Sequence, residues 1–170
     1  MNYKDYIRDV PDFPKPGVVF KDITPLLQEP QVLSAVINDM KEHFQNQGIQ
    51  KICGIESRGF IFGMPLALAL NVGFVPVRKK GKLPWTTFSH EYALEYGTDK
   101  IEIHTDAVQK NEKVLIVDDL LATGGTAEAT CRLLEKVGAQ VMGLAFLVEL
   151  SFLKGRKKID NPNIFSLVIF

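Results

Sequence analysis

The stretch VLIVDDLLATGGT, residues 114–126, places an apolar run, two adjacent aspartates and a Thr-Gly-Gly-Thr turn in direct succession. A short run of aliphatic residues is typical of a strand that is buried on both faces of a sheet. The glycine-rich turn comes next and precedes a helical pattern, so the stretch predicts a strand, a turn and a helix. Ligands of parallel α/β sheets bind at the carboxyl ends of strands, and the acids and the turn fall at such an end.

The same order of elements recurs along the chain. Short apolar runs predict strands, and apolar residues at helical spacing predict helices between them. The predicted strands cover residues 51–56, 73–78, 113–119 and 139–150, and the predicted helices cover residues 31–44, the segment opening after residue 57, and residues 125–137. Strands that alternate with helices predict an α/β fold with a mostly parallel central sheet flanked by helices.

Two segments depart from this alternation. Residues 11–17, PDFPKPG, are rich in proline and predict a stiff, extended N-terminal segment. Residues 79–105 mix glycine, proline, aromatic and charged residues and contain no helix-length apolar face. We predict a long loop there, continuing into short strands near residues 92–96 and 101–104. Loops longer than about 12 to 15 residues usually cover or bind a ligand, so this one is a candidate lid.

Size and composition predict one domain, spanning residues 1–170. The chain has 170 residues, of which 46% are hydrophobic and 24% charged, as is usual for a globular protein with one core. Its 20 basic and 20 acidic residues cancel, which argues against a nucleic-acid partner. Any anion site must therefore come from a local cluster of charge.

Neither cysteine predicts a metal site. Cys53 and Cys131 lie in or beside apolar segments at no metal-ligand spacing, which favours buried thiols in a reducing compartment. No apolar stretch approaches the roughly 20 residues that cross a bilayer, and the N-terminus carries charges where a signal peptide is apolar. We expect a cytoplasmic protein with no membrane partner.

The turn at residues 122–126 has two interpretations of equal weight when it is taken alone. Backbone N–H groups at the start of a helix can hold a phosphate monoester, and the glycines let an oxyanion come close. The turn can equally be a tight connection with a helix cap. The P-loop pattern and the dinucleotide-binding pattern are both absent from the sequence.

Asp118 and Asp119 favour the first interpretation. Two carboxylates beside a phosphate would repel it unless a ligand between them offered hydroxyl groups. A ribose 5-phosphate does so, because its 2- and 3-hydroxyls lie away from the phosphate. Exposed loop acids are the alternative, which is common for one aspartate and much less so for two at the end of VLIV.

This segment resembles the phosphoribosyl pyrophosphate signature of the type I phosphoribosyltransferases. The resemblance extends along nearly the whole chain to the members of that family that use adenine. It is carried by PDFPKPGVVFKDITPLL (11–27), ESRGFIFG (56–63), RKKGKLP (78–84), LEYGTD (94–99), VDDLLATGGT (117–126), LVEL (147–150) and LKGRKK (153–158). It implies the type I phosphoribosyltransferase fold, with a base-binding hood over residues 1–30 and a flexible lid loop and short strands over residues 79–105.

The resemblance also implies how the sugar donor is bound. Asp118 and Asp119 would hold the ribose hydroxyls, and the 5-phosphate would be held by Ala122, Thr123, Gly124, Gly125 and Thr126. The pyrophosphate would be met by Arg58, Arg78, Lys79 and Lys82, with part of this set open to contribution by a partner subunit in a homodimer. Mg²⁺ would arrive with the pyrophosphate and be held mainly by substrate and water, with no direct protein ligand. Taken alone, Arg78, Lys79, Lys80 and Lys82 favour a solvated basic loop, and their place beside a sugar-phosphate site favours the pyrophosphate role instead.

Purine binding is implied for the segment GVVFKD, residues 17–22. Phe20 would stack on adenine, and the backbone of Val19 and Lys21 would pair with its edge. Lys21 stands where some relatives have arginine, and a lone phenylalanine in such a run is otherwise most often a core residue. Glu95 in LEYG would act as the acid or base near the purine imidazole ring, with an exposed strand acid as the alternative.

The function implied is transfer of the 5-phosphoribosyl group from phosphoribosyl pyrophosphate to adenine, giving AMP and pyrophosphate. Two rivals stay open at this point. One is a phosphoribosyltransferase for a 6-oxopurine. The other is a regulator that senses phosphoribosyl pyrophosphate, although such proteins usually carry an added nucleic-acid-binding domain or a basic face.

Overall fold

The computed structural model describes residues 1–93 and 97–170. The strands in chain order are β1 (Arg8–Val10), β2 (Phe20–Asp22), β3 (Lys51–Ile55), β4 (Gly73–Lys79), β5 (Thr87–Ala93), β6 (Thr98–His104), β7 (Lys113–Leu121), β8 (Gln140–Glu149) and β9 (Ile164–Ile169). The α-helices are α1 (Thr24–Gln28), α2 (Pro30–Phe44), α3 (Gly59–Leu70) and α4 (Gly125–Lys136), and short 3-10 turns occupy Tyr3–Tyr6, Ser151–Leu153 and Gly155–Lys158.

One sheet dominates the described residues, with seven strands in the order β5-β6-β4-β3-β7-β8-β9. The five strands from β4 to β9 in that order pair in parallel, whereas β6 pairs antiparallel with both β4 and β5. The predicted α/β class with a mostly parallel sheet is therefore confirmed. Strand β3 has β4 on one side and β7 on the other, so the chain order reverses at β3, which is where parallel sheets form ligand crevices.

Alternate residues of β7 enter two cores on opposite faces of the sheet. Val114 and Ile116 pack in the cluster that includes α4, and Leu115 and Val117 pack in the cluster that includes α2 and α3. All four are fully buried, because a central parallel strand is covered by helices on both faces. This accounts for the uninterrupted apolar run VLIV.

Helix α2 confirms the predicted amphipathic pattern. It begins at Pro30, a residue favoured in the first turn because it needs no N–H partner there, and its inward face buries Val32, Val36, Met40 and Phe44. Helix α3 is different, since it is apolar all round and leaves part of that surface exposed. Leu68 is 75% exposed and Met64 is 44% exposed.

The prediction for residues 79–105 was wrong because it gave this segment too little β-strand. Strands β5 and β6 each have seven residues and pair along their whole length, from Thr87 opposite His104 to Ala93 opposite Thr98. The sequence pattern did not predict β5, because only one face of this antiparallel ribbon packs on the core and its other face is polar. Among the described residues of this segment, the irregular stretch precedes β5. The role of residues 79–105 as a lid stays a prediction.

The N-terminal segment also differs from its prediction. Residues 11–19 do not run on as an extended segment but turn back, so that β1 and β2 form a separate antiparallel pair. Gly17, with φ of +83°, allows the reversal, and its N–H donates to Asp12 Oδ1 at 2.8 Å. The final apolar run packs as the parallel edge strand β9 against β8. Among the described helices, none has the length and apolar character needed to cross a membrane.

Candidate active site

A cleft opens where the carboxyl ends of β3, β4 and β7 meet. Its volume is about 370 Å³, and strands β5 and β6 supply one wall. The lining residues are Ile55, Glu56, Ser57, Arg58, Val77, Arg78, Lys79, Tyr92, Asp99, Ile101, Asp118, Asp119, Leu120 and Thr126. The topology thus brings together most of the predicted polar residues from three separate stretches of sequence.

The two acids lie within β7 rather than at its end, because the strand continues to Leu121. Asp119 is 5% exposed, and its N–H donates to Asp118 Oδ1 at 2.9 Å. Burial raises the pKa of Asp118 well above its usual value, and the adjacent charge of Asp119 raises it further. Burial also raises the pKa of Asp119, against the opposing charge of Arg58. Such a pair offers several acceptor oxygens to a ligand that can donate hydroxyl protons.

Helix α3 begins tightly against this acid pair. A Cβ atom at Gly59 would lie 2.6 Å from the carbonyl oxygen of Val117 and 3.0 Å from Asp118 Oδ1. Only glycine fits at this position without a shift of the strand or the carboxylate. The glycine of ESRGF therefore sets how closely the turn after β3 approaches the acids.

The turn after β7 forms a second, smaller hollow of about 90 Å³ beside the cleft. All five residues predicted to hold the 5-phosphate line it, namely Ala122, Thr123, Gly124, Gly125 and Thr126. Gly124 has φ of +81° and precedes the first residue of α4, so the N–H groups of the first helical turn face this end. Asp118, Leu120 and Thr126 line both cavities, so the hollow adjoins the cleft, and the two together are called the groove below.

Three of the four predicted cations line the main cleft, and the fourth is tied to it through Glu56. The carboxylate of Glu56 accepts hydrogen bonds from the Lys79 N–H at 2.8 Å and from Arg78 Nε at 3.2 Å, and it pairs with Lys82 Nζ. Burial opposes ionisation of Glu56, but these donors outweigh it and lower its pKa. The sequence reasoning missed Glu56, although it follows β3 as the aspartates follow the apolar run of β7.

Asp99 and Tyr92 were also missed. Lys79 Nζ lies 3.1 Å from Asp99 Oδ2, and this contact raises the pKa of Lys79. Burial opposes ionisation of Asp99, yet the Lys100 N–H and the Lys79 ammonium outweigh it and lower its pKa. The hydroxyl of Tyr92 lies 3.3 Å from Thr126 Oγ1, so burial and polar contact both fix β5 against the phosphate turn. Tyr92 belongs to no recognised motif, and Asp99, the last residue of LEYGTD, was given no role.

The predicted base-binding segment contacts a residue of the cleft, Arg58, through Phe20. The guanidinium carbon of Arg58 lies 5.5 Å from the centre of the Phe20 ring, and Arg58 Nε lies 2.8 Å from Asp119 Oδ2. Lys21 uses its side chain elsewhere, because its Nζ lies 2.6 Å from Asp9 Oδ1 and 4.0 Å from the ring centre of Phe170. Val19 is exposed.

Glu95 lies outside the described residues, as do Leu94 and Tyr96. The last residue described before them is close to the phosphate turn, since a Cβ atom at Gly125 would lie 4.0 Å from the carbonyl oxygen of Ala93. Among the residues that the structure describes, no cluster of three or more His, Cys, Asp or Glu side chains forms a metal site.

Comparisons with known proteins agree with this geometry. The family model described as "Phosphoribosyl transferase domain" matches residues 22–168. Adenine phosphoribosyltransferase of Natranaerobius thermophilus is 59% identical over 161 residues, which are 95% of this chain and 94% of the relative. The crystal structure of adenine phosphoribosyltransferase from Thermoanaerobacter pseudethanolicus is 52% identical, covers 99% of this chain and 98% of its own, and superimposes with a TM-score of 0.95.

A third relative carries a base. The Saccharomyces cerevisiae adenine phosphoribosyltransferase, solved with an iminoaltritol bisphosphate and adenine, is 43% identical with a TM-score of 0.92, covering 97% of this chain and 96% of its own. The prediction of an adenine-using enzyme is confirmed by these likenesses, and so is the predicted fold. The chain belongs to the phosphoribosyltransferase family and, within it, to the adenine phosphoribosyltransferases.

Proposed function

We propose that this chain transfers the 5-phosphoribosyl group of phosphoribosyl pyrophosphate to adenine in the groove described above, with the residue roles that follow. The observation that carries the assignment is that the main cleft and the smaller hollow adjoin and share lining residues. Acceptor oxygens of Asp118 lie between a hollow formed by a helix N-terminus on one side and a cluster of cations on the other. That order matches a 5-phosphate, a pair of ribose hydroxyls and a pyrophosphate along one molecule.

The sugar and its phosphate bind across β7 and α4. The carboxylates of Asp118 and Asp119 accept hydrogen bonds from the 3- and 2-hydroxyls, and residues 122–126 offer backbone N–H groups and two threonine hydroxyls to the phosphate. Carboxylates near the ribose also favour the positive charge that the sugar gains as its bond to pyrophosphate breaks. Both proposed sugar contacts lie on elements anchored in the core, so little ordering would be left for substrate binding.

The pyrophosphate takes the side of the groove lined by Arg58, Arg78 and Lys79, with Lys82 close by. Each of these cations is paired with an acid in this structure, through Asp119, Glu56 or Asp99. The residues fit a Mg²⁺ complex of pyrophosphate, because these cations would hold the pyrophosphate while substrate oxygens and water would hold the metal. When bound, Mg²⁺ would neutralise part of the charge that pyrophosphate carries away.

Adenine binds against Phe20, between the hood of residues 1–30 and the ribose. The exocyclic amine of adenine donates and its neighbouring ring nitrogen accepts, which a carbonyl and an N–H from the backbone of Val19 and Lys21 can match. Arg58 lies over the Phe20 ring in this structure, so the guanidinium must turn toward the pyrophosphate before the base can stack. Adenine N9 then attacks the anomeric carbon, and the bond to the pyrophosphate oxygen breaks. Glu95 acts as the acid or base for the proton of the imidazole ring.

A homodimer is supported by helix α3. Its exposed Met64 and Leu68 extend a helix that is apolar all round, and a groove of about 270 Å³ lies beside it between Leu33, Ile37 and Pro65. A second copy of the same face would bury both patches at once, as isologous interfaces do.

Base specificity tests the proposed function as a whole. Purified protein with Mg²⁺ and phosphoribosyl pyrophosphate should form AMP from adenine, while hypoxanthine, guanine and xanthine should react at a kcat/KM lower by roughly 5- to 150-fold. The reason is that a 6-oxo group faces a backbone carbonyl, and an unpaired acceptor costs about 1 to 3 kcal/mol. Nucleotide formation followed by chromatography gives the answer, and absence of AMP would overturn the proposal.

Asp118→Asn should weaken the binding of phosphoribosyl pyrophosphate while making the folded protein more stable. The KM for phosphoribosyl pyrophosphate should rise about tenfold or more, because a hydrogen bond from a hydroxyl to a charged acceptor is lost. The free energy of unfolding at pH 7 should increase, since a pKa raised by folding means that the ionised form is held at a cost above that pKa. For the same reason, wild-type stability should fall as the pH rises through the raised pKa.

Steady-state kinetics and urea denaturation measure the two effects. Asp106→Asn, at an exposed aspartate outside the groove, is the matched control and should change neither quantity. A wild-type KM for Asp118→Asn would show that the ribose assignment is wrong.

Glu95→Gln tests the acid or base role. Turnover should fall by tenfold or more, in keeping with the roughly 10²- to 10⁴-fold range of general acid–base catalysis, while both substrate affinities change little. Glu91→Gln is the control, because Glu91 is a glutamate of β5 that is exposed and paired with Lys100. Equal turnover in wild type and Glu95→Gln would remove Glu95 from the mechanism.

Leu68→Glu tests the dimer. A charge placed in an apolar interface should shift the protein toward monomer, because a buried unpaired carboxylate costs several kcal/mol. Phe152→Glu makes a comparable change at a side chain that is 66% exposed on another surface and should leave the mass unchanged. Sedimentation velocity reports both; a wild-type oligomer in Leu68→Glu would contradict an interface through α3.

A further inference from the structure

The phosphate turn of residues 122–126 is packed from behind by a turn some thirty residues later in the chain. Gly155 opens the 3-10 turn Gly155–Lys158 and lies directly against Gly124. A Cβ atom at Gly124 would overlap the carbonyl oxygen of Gly155, and a Cβ atom at Gly155 would overlap the carbonyl oxygen of Ala122. The two turns therefore approach as closely as two backbones can, and each glycine is required by the other.

An ion pair between the partly exposed Arg156 and the buried Glu149 fixes the position of Gly155. Arg156 Nε lies 2.7 Å from Glu149 Oε1, and Arg156 Nη2 lies 2.7 Å from Glu149 Oε2, so the pair is bidentate. Arg156 Nη1 also donates to the carbonyl oxygen of Ile164 at 2.8 Å, and Ser166 Oγ donates to Glu149 Oε2 at 2.7 Å. Burial opposes ionisation of Glu149, which is 5% exposed, but Arg156 and Ser166 outweigh it and lower its pKa. The guanidinium thus ties the turn to both β8 and β9.

The same ion pair lies beside the strand that leads into the phosphate turn. Glu149 is the register partner of Leu121, and the Leu150 N–H donates to the carbonyl oxygen of Leu121 at 2.9 Å. Strands β7 and β8 therefore leave the sheet together, one into residues 122–126 and the other into the turn held by Arg156. The shape of the first turn depends on where the second is anchored.

We propose that Gly155 and Arg156 are positioning residues for the 5-phosphate, holding the turn of residues 122–126 in its phosphate-accepting shape before substrate binds. The inference rests on the proposed function, which places the 5-phosphate in that turn. The residues that line the two cavities, within the described part of the chain, do not include Gly155 or Arg156, so they act through the turn. A turn with two successive glycines is costly to order, and a fixed backing removes that cost from the binding step.

Gly155→Ala should displace the phosphate turn and leave the rest of the groove in place. The affinity for ribose 5-phosphate, measured by isothermal titration calorimetry, should fall about tenfold or more, since small misplacements of positioning groups have effects of this size. The affinity for pyrophosphate should be unchanged. In steady state, the KM for phosphoribosyl pyrophosphate should rise while kcat at saturation stays within about threefold of wild type.

Gly143→Ala is the matched control. It makes the same change toward the amino end of β8, where the new Cβ atom would lie 2.7 Å from Asn163 Nδ2. It should lower stability without separating the two affinities. Equal losses for ribose 5-phosphate and pyrophosphate in Gly155→Ala, or a wild-type affinity for ribose 5-phosphate, would overturn the proposal.

Arg156→Lys provides a second variant if Gly155→Ala fails to fold. Lysine keeps the charge but cannot make the bidentate contact and reach Ile164 at the same time, so the affinity for ribose 5-phosphate should fall by a smaller factor with pyrophosphate again unaffected. A wild-type affinity of Arg156→Lys for ribose 5-phosphate would contradict the positioning role of Arg156. These affinities do not depend on turnover: a wild-type protein that binds ribose 5-phosphate but makes no AMP would overturn the proposed function and leave this inference standing.

Discussion

The burial of two adjacent carboxylates near the carboxyl end of the central strand is the constraint on which the rest of the site depends. Asp118 and Asp119 are held against a desolvation cost that raises the pKa of each. A fold under selection for stability alone would place apolar or single polar residues there. Keeping the pair requires a glycine at position 59, an arginine within reach of Asp119 and a core that is firm on both faces of β7.

The cations around this pair are balanced by acids in the protein as described. Arg58 pairs with Asp119, Lys79 with Asp99, and Arg78 and Lys82 share Glu56. The groove consequently holds many charges without a large net field, in keeping with the zero net charge of the chain. A polyanionic ligand competes with carboxylates already in place, so its binding is an exchange of ionic partners rather than the filling of an unbalanced positive pocket. The acids also keep the cations extended toward the cleft, which lowers the ordering cost of binding.

Much of this site could be predicted from the sequence because parallel sheets bring consecutive strand ends together. Asp118 and Asp119 lie near the carboxyl end of one strand, which the turn of residues 122–126 follows, and Arg58 and Arg78 lie at the ends of two others, so local patterns placed them in one cleft. Residues contributed through the antiparallel ribbon could not be placed in this way. Tyr92 lies on β5, which has one polar face and no clean alternation, and the position of Asp99 in the cleft depends on how β6 pairs with β4 and β5.

Other parts escaped prediction because they act through contacts distant in sequence. Glu56 looks like one more acid after a strand, and its importance appears only when Arg78, Lys79 and Lys82 converge on it. Gly155 looks like a turn residue in a basic stretch, and its close approach to Gly124 depends on how β8 and β9 are paired. The sequence of the hood was recognised as a motif. The chain reversal at residues 11–19, which pairs β2 with β1, was not predicted.

The proposed donor and acceptor sites belong to different parts of the structure, and Arg58 contacts residues of both. Asp118 and Asp119 lie in the main sheet, whereas Phe20 belongs to the separate two-stranded pair β1 and β2. Arg58 Nε lies 2.8 Å from Asp119 Oδ2, and the guanidinium carbon lies 5.5 Å from the centre of the Phe20 ring. A cation stacked on an aromatic ring is stabilised by about 0.5 to 2 kcal/mol, a small loss beside a charge-assisted contact with pyrophosphate. Under the proposed function, the movement that brings Arg58 to the leaving group would also free the Phe20 ring for adenine, so that a single side chain would couple the two substrates.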